Sequence, residues 1–270
     1  MSRRRNRSLL AGTILASILL LVIVGGVFLR PFDPTQIGAG ARLAAPSLAH
    51  PLGTDHLGRD VFSRVLDGAS MTLLIALGTV LIGALGGLLF GGLAGFYGGI
   101  LDEVVMRISD GLTAFPSVLL ALVAVSLVGS GASRVLVILG ILFIPSFARV
   151  ARGEFLRCRN LDYVKRARLI GASPWRIMWR HILPNILPVY FGAVAIGFNN
   201  AVLAEASMSF LGLGVQPPDV SLGRMLSESQ GYLFLAPWFA ISTGMTIVLF
   251  VFAFSLLADG LQKGRRGRRA

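Results

Sequence analysis

The sequence predicts an all-α, polytopic membrane protein. Hydrophobic residues make up 54% of the 270 positions and charged residues only 14%, and the mean hydropathy is +0.76. Soluble domains of this length rarely have so apolar a composition. A helix that spans a bilayer needs roughly 20 mostly apolar residues, and we therefore predict six transmembrane helices. They lie near residues 9–29, 73–97, 108–128, 134–150, 187–211 and 237–257.

The distribution of positive charge predicts the orientation of these helices. With the N-terminus inside, 19 of the 25 Lys and Arg residues fall in inner segments, whereas the Asp and Glu residues divide evenly between the two sides. This asymmetry follows the positive-inside rule, so both termini are predicted to be cytoplasmic. The formal charge of +12 then reflects topology and contact with the lipid bilayer, and we expect no nucleic-acid partner.

The basic N-terminus and the apolar run behind it could also form a secretory signal peptide. The apolar run covers residues 9–29, which exceeds the ~7–15 residues usual in a signal peptide and favours an uncleaved first helix. The chain is then predicted to consist of four parts. They are the N-terminus and first helix (1–30), an extracytoplasmic segment (31–70), a five-helix transmembrane core with a cytoplasmic loop at 151–186 (71–262), and a basic tail (263–270).

The second predicted span carries a glycine at every fourth position. Gly83, Gly87, Gly91 and Gly95 lie on nearly one face of a helix. Lipid provides no hydrophobic drive for helix association, and small residues let two backbones approach closely. We expect this face to pack against another helix, either as a static contact or as an interface that slides during gating.

Three further local signals concern the ends and bends of helices. Asp60 is predicted to be the N-cap of a short amphipathic helix over residues 61–69, and residues 100–110 are predicted to form a tight inner loop. Pro116 in the third span is expected to kink its helix, and the fourth span also contains a proline, Pro145.

A basic amphipathic stretch, KRARLIGASPWRIMWRHILPN, separates the fourth and fifth spans. Helical periodicity covers residues 161–169, and Gly171 is expected to end that helix in the left-handed conformation. Ser173 and Pro174 are a typical N-cap and first residue of a second helix. The sequence thus predicts a helix–glycine–helix unit, which we call the basic hairpin (residues 161–183).

The second helix of the basic hairpin is expected to end at Pro184 and Pro188, where the fifth span begins. The hairpin could dock onto another protein or lie on the membrane surface without a partner. Its apolar side chains are expected at the membrane interface, namely Trp175, Ile177, Met178 and Ile182.

The sequence YVKRARLIGASPWRIMWRHILPN resembles the cytoplasmic signature loop of ATP-binding-cassette (ABC) importer permeases. The blocks HPLGTDHLGRDVFSRV, YGGILDEVVMRISDGLTAFPSVLL, ARVARGEFL and AEASMSFLGLGVQPP are similar to the second (C-type) permease subunit of dipeptide, oligopeptide and nickel importers. The resemblance covers residues 50–262, nearly the whole chain.

This resemblance implies the type I ABC-importer permease fold with six transmembrane helices, in a bacterial cytoplasmic membrane. It also implies a heterodimer with a homologous permease subunit, two ABC ATPase subunits and an extracytoplasmic substrate-binding protein. ATP and Mg²⁺ would bind to the ATPase subunits, and no cofactor is expected in this chain. The segments 31–60 and 212–236 are candidate docking surfaces for the binding protein.

In such importers the first short helix of the signature loop lodges in a groove of an ATPase subunit. The resemblance implies that the residues in contact are Tyr163, Lys165, Arg166, Ala167 and Gly171. One departure concerns charge, because the family usually has Glu-Ala-Ala where this chain has Lys-Arg-Ala. Either the partner groove is acidic here, or Asp162 replaces the missing carboxylate in the ion pair.

Intramembrane polar residues are the candidates for a translocation path, because such groups are costly in hydrocarbon. Asn199 and Asn200 fall near the middle of the fifth span, and Glu205 falls near its outer end. The asparagines could line the path or bond to a neighbouring helix. Glu205 could cap the backbone of the following loop or contact the ammonium group of a peptide.

No enzyme is predicted. The phosphate-binding pattern Gly-x-x-x-x-Gly-Lys-Ser/Thr and the His-Glu-x-x-His motif are both absent from the sequence, so no catalytic residue is assigned. A single cysteine, Cys158, excludes an internal disulfide. A metal-binding funnel is conceivable in the outer segment, although cap and turn roles are the simpler reading for its four residues. They are His50, Asp55, His56 and Asp60.

The sequence therefore favours a permease subunit that forms half of a path for di- or oligopeptides. A permease for nickel or another small solute is the alternative within this class. A secondary transporter driven by an ion gradient is disfavoured because no inverted repeat with paired broken helices is evident. A membrane scaffold without transport would need neither the glycine-lined face nor the basic hairpin.

Overall fold

The computed structural model describes residues 7–269, and helices dominate this range. The one β-type pairing in it is an isolated bridge between Thr54 and Asp60. The cytoplasmic arm predicted at residues 1–6 and the final tail residue, Ala270, lie outside the described residues. The all-α prediction is confirmed. The helices are α1 (Arg7–Leu29), α2 (Val61–Tyr97), α3 (Gly99–Thr113), α4 (Ser117–Val128), α5 (Ala132–Cys158), α6 (Asp162–Leu169), α7 (Pro174–Arg176), α8 (Leu183–Phe210), α9 (Leu222–Ser229) and α10 (Pro237–Arg269).

Several helices can span a bilayer. Four are long and apolar enough, and α3 with α4 can count together as a fifth, broken span, since their axes meet at 86°. The described apolar part of α1, Leu9–Ile23, is shorter than a full span. The fold class is therefore confirmed, whereas the count of six stays a prediction. The four long helices are Val61–Tyr97, Ala132–Cys158, Pro174–Phe210 and Pro237–Gly260.

The helix α2 begins where the sequence predicted but is much longer than expected. The backbone N–H of Ser63 donates to Oδ2 of Asp60 (2.8 Å), which confirms the predicted N-cap. The prediction of a separate amphipathic helix over residues 61–69 is wrong, because α2 runs without interruption to Tyr97. No proline and no glycine with positive φ interrupts the chain between the two predicted segments, so helical bonding continues through them.

The glycines of α2 lie against α5, as the sequence predicted. A Cβ on Gly91 would collide with the backbone oxygen and Cα of Ala148, and one on Gly95 would lie 2.5 Å from the carbonyl oxygen of Arg152. Side chains at Gly83 and Gly87 would likewise overlap Phe143 and Phe147. The two backbones meet too closely for any side chain, so this face forms a close helix–helix contact with α5.

The segment between α2 and α4 differs from the prediction. Residues 100–110 form the helix α3 instead of a tight loop, and Gly98 and Gly99 provide the turn before it with φ of 72° and 60°. Oδ2 of Asp102 in α3 accepts from Nη2 of Arg152 in α5 (2.6 Å), and this contact between elements stabilises the helix. Tertiary pairing of this kind is invisible in local sequence.

The third predicted span is broken at Pro116. The helix α3 ends at Thr113 and α4 begins at Ser117, because proline lacks a backbone donor and disfavours helical geometry in the preceding residue. Pro145, by contrast, lies within α5 and does not end it. The kink predicted at Pro116 is therefore a complete break.

Candidate functional sites: a basic hairpin and a cavity between helices

The first half of the basic hairpin forms as the sequence predicted. The helix α6 ends before Gly171, which has φ of +78°, and the N–H of Ala172 donates to the carbonyl of Ala167 (3.0 Å). Ser173 then caps α7, because its hydroxyl accepts from the N–H of Arg176 (3.3 Å). Glycine at this turn avoids the strain that a side chain would cause at positive φ.

The second half of the hairpin does not end at Pro184 or Pro188, and that prediction is wrong. The helix α7 continues through a π-helical segment, Ile177–Ile182, into α8, which contains both prolines. The N–H of Leu183 donates to the carbonyl of Met178, five residues earlier. This wider turn rearranges the hydrogen bonds next to Pro184, so that the helix passes a residue that would otherwise break it.

The apolar residues of the second helix pack inside the hairpin instead of facing the membrane. Ile177, Met178 and Ile182 are buried together with Phe155 and Cys158. The prediction that they lie at the membrane interface is therefore wrong, although Trp175 is exposed as expected. The hairpin has its own small core, which joins it rigidly to α5 and α8.

The residues implied to contact an ATPase divide between the outside and the inside of the hairpin. Lys165, Arg166 and Gly171 are exposed, whereas Ala167 is buried. Tyr163 is half-buried, and burial raises the pKa of its hydroxyl to about 12. Ala167 and Tyr163 therefore pack in or against the hairpin core, whereas Asp162, the basic pair and the glycine turn are the exposed members of the predicted contact set.

The exposed face of the hairpin also carries apolar side chains that sequence reasoning missed. Leu169 is 86% exposed and Ile170 is 84% exposed, next to the basic pair. Nζ of Lys165 lies 3.5 Å from Oδ1 of Asp162, but both side chains are exposed, so this ion pair contributes little stability. Helical periodicity could have predicted this exposure, because Val164 and Ala167 define the buried side of α6 and Leu169 lies outside it.

A cavity lies where α4, α5 and α8 meet. Its volume is about 680 Å³. Most of the lining is apolar, and no Asp, Glu, Lys, Arg or His lines it among the residues that the structure describes. The polar side chains in its wall are Thr113, Ser117, Ser146, Asn200 and Ser207.

The two adjacent asparagines have different environments. Asn200 lines the cavity, and its side-chain amide has no hydrogen-bonding partner among the described residues. Asn199 is buried, and its Nδ2 donates to the hydroxyl of Ser255 in α10 (2.9 Å). Asn199 thus bonds to a neighbouring helix, with its Oδ1 buried and unpaired, while the role of Asn200 in a translocation path stays a prediction.

Glu205 is fully buried and does not line the cavity. Its carboxylate accepts from the hydroxyls of Thr72 (2.9 Å) and Ser209 (2.6 Å). Those hydroxyls accept in turn from the backbone N–H groups of Leu222 (3.3 Å) and Val215 (3.1 Å). Glu205 therefore stabilises the loop after α8 through two hydroxyl groups, which corresponds to the structural reading of this residue and not to contact with a substrate.

The outer histidines and acids serve in turns and ion pairs. Nδ1 of His50 lies 2.9 Å from Oδ1 of Asp60, and Asp55 accepts from the backbone N–H groups of Leu57 and Arg59. The potential metal-binding atoms of Asp55, His56 and Glu228 lie within 4.8 Å of one another. However, the carboxylates of Asp55 and Glu228 already form ion pairs with arginine side chains. This arrangement favours the cap and turn reading over a metal funnel.

An ion network in the outer segment was not predicted from the sequence. Oδ2 of Asp55 accepts from Arg59 (2.6 Å) and from Arg64 (2.5 Å), and both arginines also contact Oε2 of Glu228 in α9, at 3.2 and 2.9 Å. Burial raises the pKa of Asp55, but Arg64 and Arg59 outweigh it, and the pKa lies below its usual value. The network joins the outer segment, α2 and α9.

A bundle of apolar helices with a cavity between them and an exposed hairpin beside them is the architecture of a polytopic membrane protein. Residues 87–267 match the family described as binding-protein-dependent transport system inner membrane component. The chain belongs to this family. The match confirms the predicted ABC-importer permease subunit and favours it over an ion-driven transporter or an enzyme.

Curated relatives cover almost the whole chain. The glutathione transport system permease protein of Pectobacterium atrosepticum is 41% identical over 261 residues, which is 96% of this chain and 86% of the relative. The protein of the same description from Escherichia coli is 42% identical over 266 residues, covering 96% and 87%. The dipeptide transport system permease protein of Haemophilus influenzae is 35% identical over 265 residues, covering 96% and 90%.

Proposed function

We propose that this chain forms one half of the translocation path for di- or oligopeptides in an ABC importer of a bacterial cytoplasmic membrane. The observation that carries this proposal is the cavity at which Asn200 presents an unpaired amide between α4, α5 and α8. Relatives described as glutathione and dipeptide transport permeases support a peptide cargo. A nickel cargo has less support, because the cavity wall contains no carboxylate, imidazole or thiol ligand among the described residues.

The remaining half of the path would come from a homologous permease subunit, which gives a heterodimer. The wall residues Ser117, Ser146 and Asn200 are exposed, so this side of the cavity has no cover from the described part of the chain. The excess of Lys and Arg in the inner segments supports cytoplasmic termini. The binding protein would then dock at residues 31–60 and 212–236.

The basic hairpin would couple this subunit to an ATPase partner, which binds ATP and Mg²⁺. Its core joins α5 to α8, so sideways force on α6 would reach both helices. The exposed Lys165 and Arg166 require an acidic groove on the partner, because like charges across an interface disfavour binding.

Replacing Asn200 by leucine is expected to lower dipeptide uptake by about tenfold, roughly 1.4 kcal/mol in the barrier. The polar group that meets the passing peptide would be lost, while the buried contacts of α8 remain. The measurement is uptake of radiolabelled dialanine into proteoliposomes containing the complete importer, normalised to the amount of assembled complex.

The matched control is the neighbouring substitution Asn199→Leu. It removes the hydrogen bond to Ser255, so we expect less assembled complex but near-normal uptake per complex. Equal uptake by Asn200→Leu and wild-type importers would contradict the path assignment.

Replacing Lys165 by glutamate is expected to weaken assembly with the cognate ATPase by at least tenfold. A carboxylate would face the acidic groove that the basic pair requires, and repulsion would replace attraction. Binding of the purified ATPase to the permease dimer in nanodiscs measures this affinity at two salt concentrations. Arg107→Glu is the control, because Arg107 is exposed and lies on α3, outside the hairpin. Tighter binding or better-coupled ATPase activity in Lys165→Glu would contradict the acidic groove.

A further inference from the structure

The cavity wall has a composition that bears on which part of a substrate it can recognise. The polar groups are one amide and four hydroxyls, and they lie among leucine, isoleucine, valine and phenylalanine side chains. A charged side chain, Arg149, lies at one end of the cavity, where its guanidinium donates a hydrogen bond to the hydroxyl of Thr113. Arg149 is also paired with Asp110 at 3.3 Å, so its charge is balanced there.

Only part of this polar set is free to bind a substrate. The hydroxyls of Thr113 and Ser207 donate to backbone carbonyls of their own helices, at 2.8 and 2.7 Å. Within residues 7–269, the side chains of Ser117, Ser146 and Asn200 make no hydrogen bond to protein. Two hydroxyls and one amide, on three different helices, are therefore available as both donors and acceptors.

Ser117, Ser146 and Asn200 are exposed in this chain by itself, so a substrate at this wall loses its water only when the partner permease covers the cavity. An ionised carboxylate or ammonium group enclosed there needs an opposite charge to offset its desolvation, and the described wall provides none. A peptide bond, in contrast, offers one N–H and one C=O, which an asparagine amide and serine hydroxyls can satisfy.

We propose that this subunit recognises the backbone amide groups of the passing peptide and does not select peptides by charge. The inference rests on the proposed function and deepens it by naming the chemical group of the peptide that this subunit recognises. Any discrimination between acidic, basic and neutral peptides then arises in other subunits. Asn200 is the main recognition residue, and Ser117 and Ser146 assist it from α4 and α5.

Two charged thiol reagents of similar size test the electrostatic part of this proposal without a substrate. The reporters are Leu203→Cys and Ile196→Cys, both in the cavity wall on α8, in the complete importer in nanodiscs. A cationic and an anionic methanethiosulfonate reagent are each allowed to react with the reporter cysteine, and intact mass spectrometry of this chain measures the rate. Each rate is then divided by the rate at which the same reagent reacts with free 2-mercaptoethanol. The native Cys158 is buried and gives the background in the wild-type chain.

We expect the normalised rates of the two reagents to agree within about twofold at both reporters. At low ionic strength, where screening is weak, a full charge within about 7 Å would separate them by about fivefold or more, even at the dielectric constant of water. The positive control is Leu203→Cys combined with Asn200→Asp, because residues three apart on a helix are neighbours. This variant is expected to react at least fivefold faster with the cationic reagent. A difference of fivefold or more without the added aspartate overturns the proposal.

Uptake tests the recognition of amide groups. Rates for Ala-Ala, Ala-Glu and Ala-Lys are compared as the ratio of variant to wild type, which cancels the preference of the binding protein. Asn200→Ala is expected to reduce all three by the same factor, within about twofold, and Asn200→Asp to favour Ala-Lys by at least fivefold. A charge-dependent loss in Asn200→Ala overturns the proposal.

A separate result distinguishes failure of the proposed path. If a bulky neutral maleimide modifies Leu203→Cys completely and dipeptide uptake continues unchanged, the cavity is not part of the path, and the proposed function fails whatever the reagent rates show. If modification blocks uptake but the reagent rates differ fivefold, the path stands and only the inference about charge is wrong.

Discussion

Replacing Arg64 by methionine is expected to destabilise the protein by about 3 kcal/mol, because it removes one partner from a buried ion network. Arg64 is 2% exposed, and its guanidinium contacts both Asp55 and Glu228. Methionine leaves a fully buried carboxylate of Asp55 that keeps its backbone donors but has Arg59 as its one remaining ion-pair partner among the described residues. The outer segment is then expected to separate from α2 and α9.

Two measurements check this result. The midpoint of thermal unfolding of the purified importer should fall by several degrees, and protease should cleave the variant faster within residues 31–60. The control Arg107→Met removes an exposed ion pair with Glu103 and is expected to change stability by less than about 1 kcal/mol. Equal effects of the two substitutions would contradict the role of the network.

The pH dependence of this effect follows from Asp55. Its pKa is lowered in the folded protein from the ordinary value of 3.8, so the stability from its ionised form is fully present above pH 3.8 and is lost only as the pH falls through the lower folded value. In Arg64→Met the buried Asp55 has lost its main charge partner, so its folded pKa is higher than in wild type and its penalty is relieved as the pH falls. The difference between wild type and Arg64→Met is therefore expected to be at least as large at pH 8 as at pH 5. A larger difference at pH 5 than at pH 8 would show that another group controls it.

Replacing Gly91 by leucine is expected to prevent assembly of a stable importer. A Cβ at this position would overlap the backbone of Ala148, and backbone atoms of a packed helix cannot move aside as a flexible side chain can. Gly91→Ala is the smaller test, with an expected loss of about 1–3 kcal/mol from overpacking. Yield of assembled complex and its thermal midpoint measure both.

The matched control for Gly91→Ala is Gly153→Ala on the facing helix α5. A Cβ there meets no atom within 4 Å, and the backbone is helical. Alanine at such a site is expected to stabilise the helix by roughly 0.5–1 kcal/mol. If Gly91→Ala is as stable as Gly153→Ala, α2 and α5 do not meet in the functional protein as they do in this structure.

Local stereochemistry made several features predictable. The glycine repeat of α2, the cap at Asp60, the end of α6 at Gly171 and the start of α7 at Ser173 depend on a few neighbouring residues with strong preferences. These residues act on the backbone next to them, so their effect survives in almost any tertiary context.

The wrong predictions share a different cause. Pro184 does not end its helix, because a π-helical turn changes the bonding pattern there, and Ile177 faces a core instead of lipid, because α5 and α6 cover it. Asn199 and Asn200 are adjacent in sequence, but successive helix positions point about 100° apart. One therefore meets α10 and the other the cavity.

The sequence alone determined that the chain is a multi-span helical membrane protein with a basic hairpin, because composition, charge asymmetry and capping residues act locally or through the membrane. Its role as a permease subunit came from resemblance to a known family, which the family match confirms. Only the tertiary structure decided which polar groups are free. The contact of Arg64 with Glu228 joins residues 164 positions apart, and Glu205 reaches the backbone through hydroxyls of two helices. Such pairings depend on how the helices pack against one another, and periodicity along one helix does not contain that information.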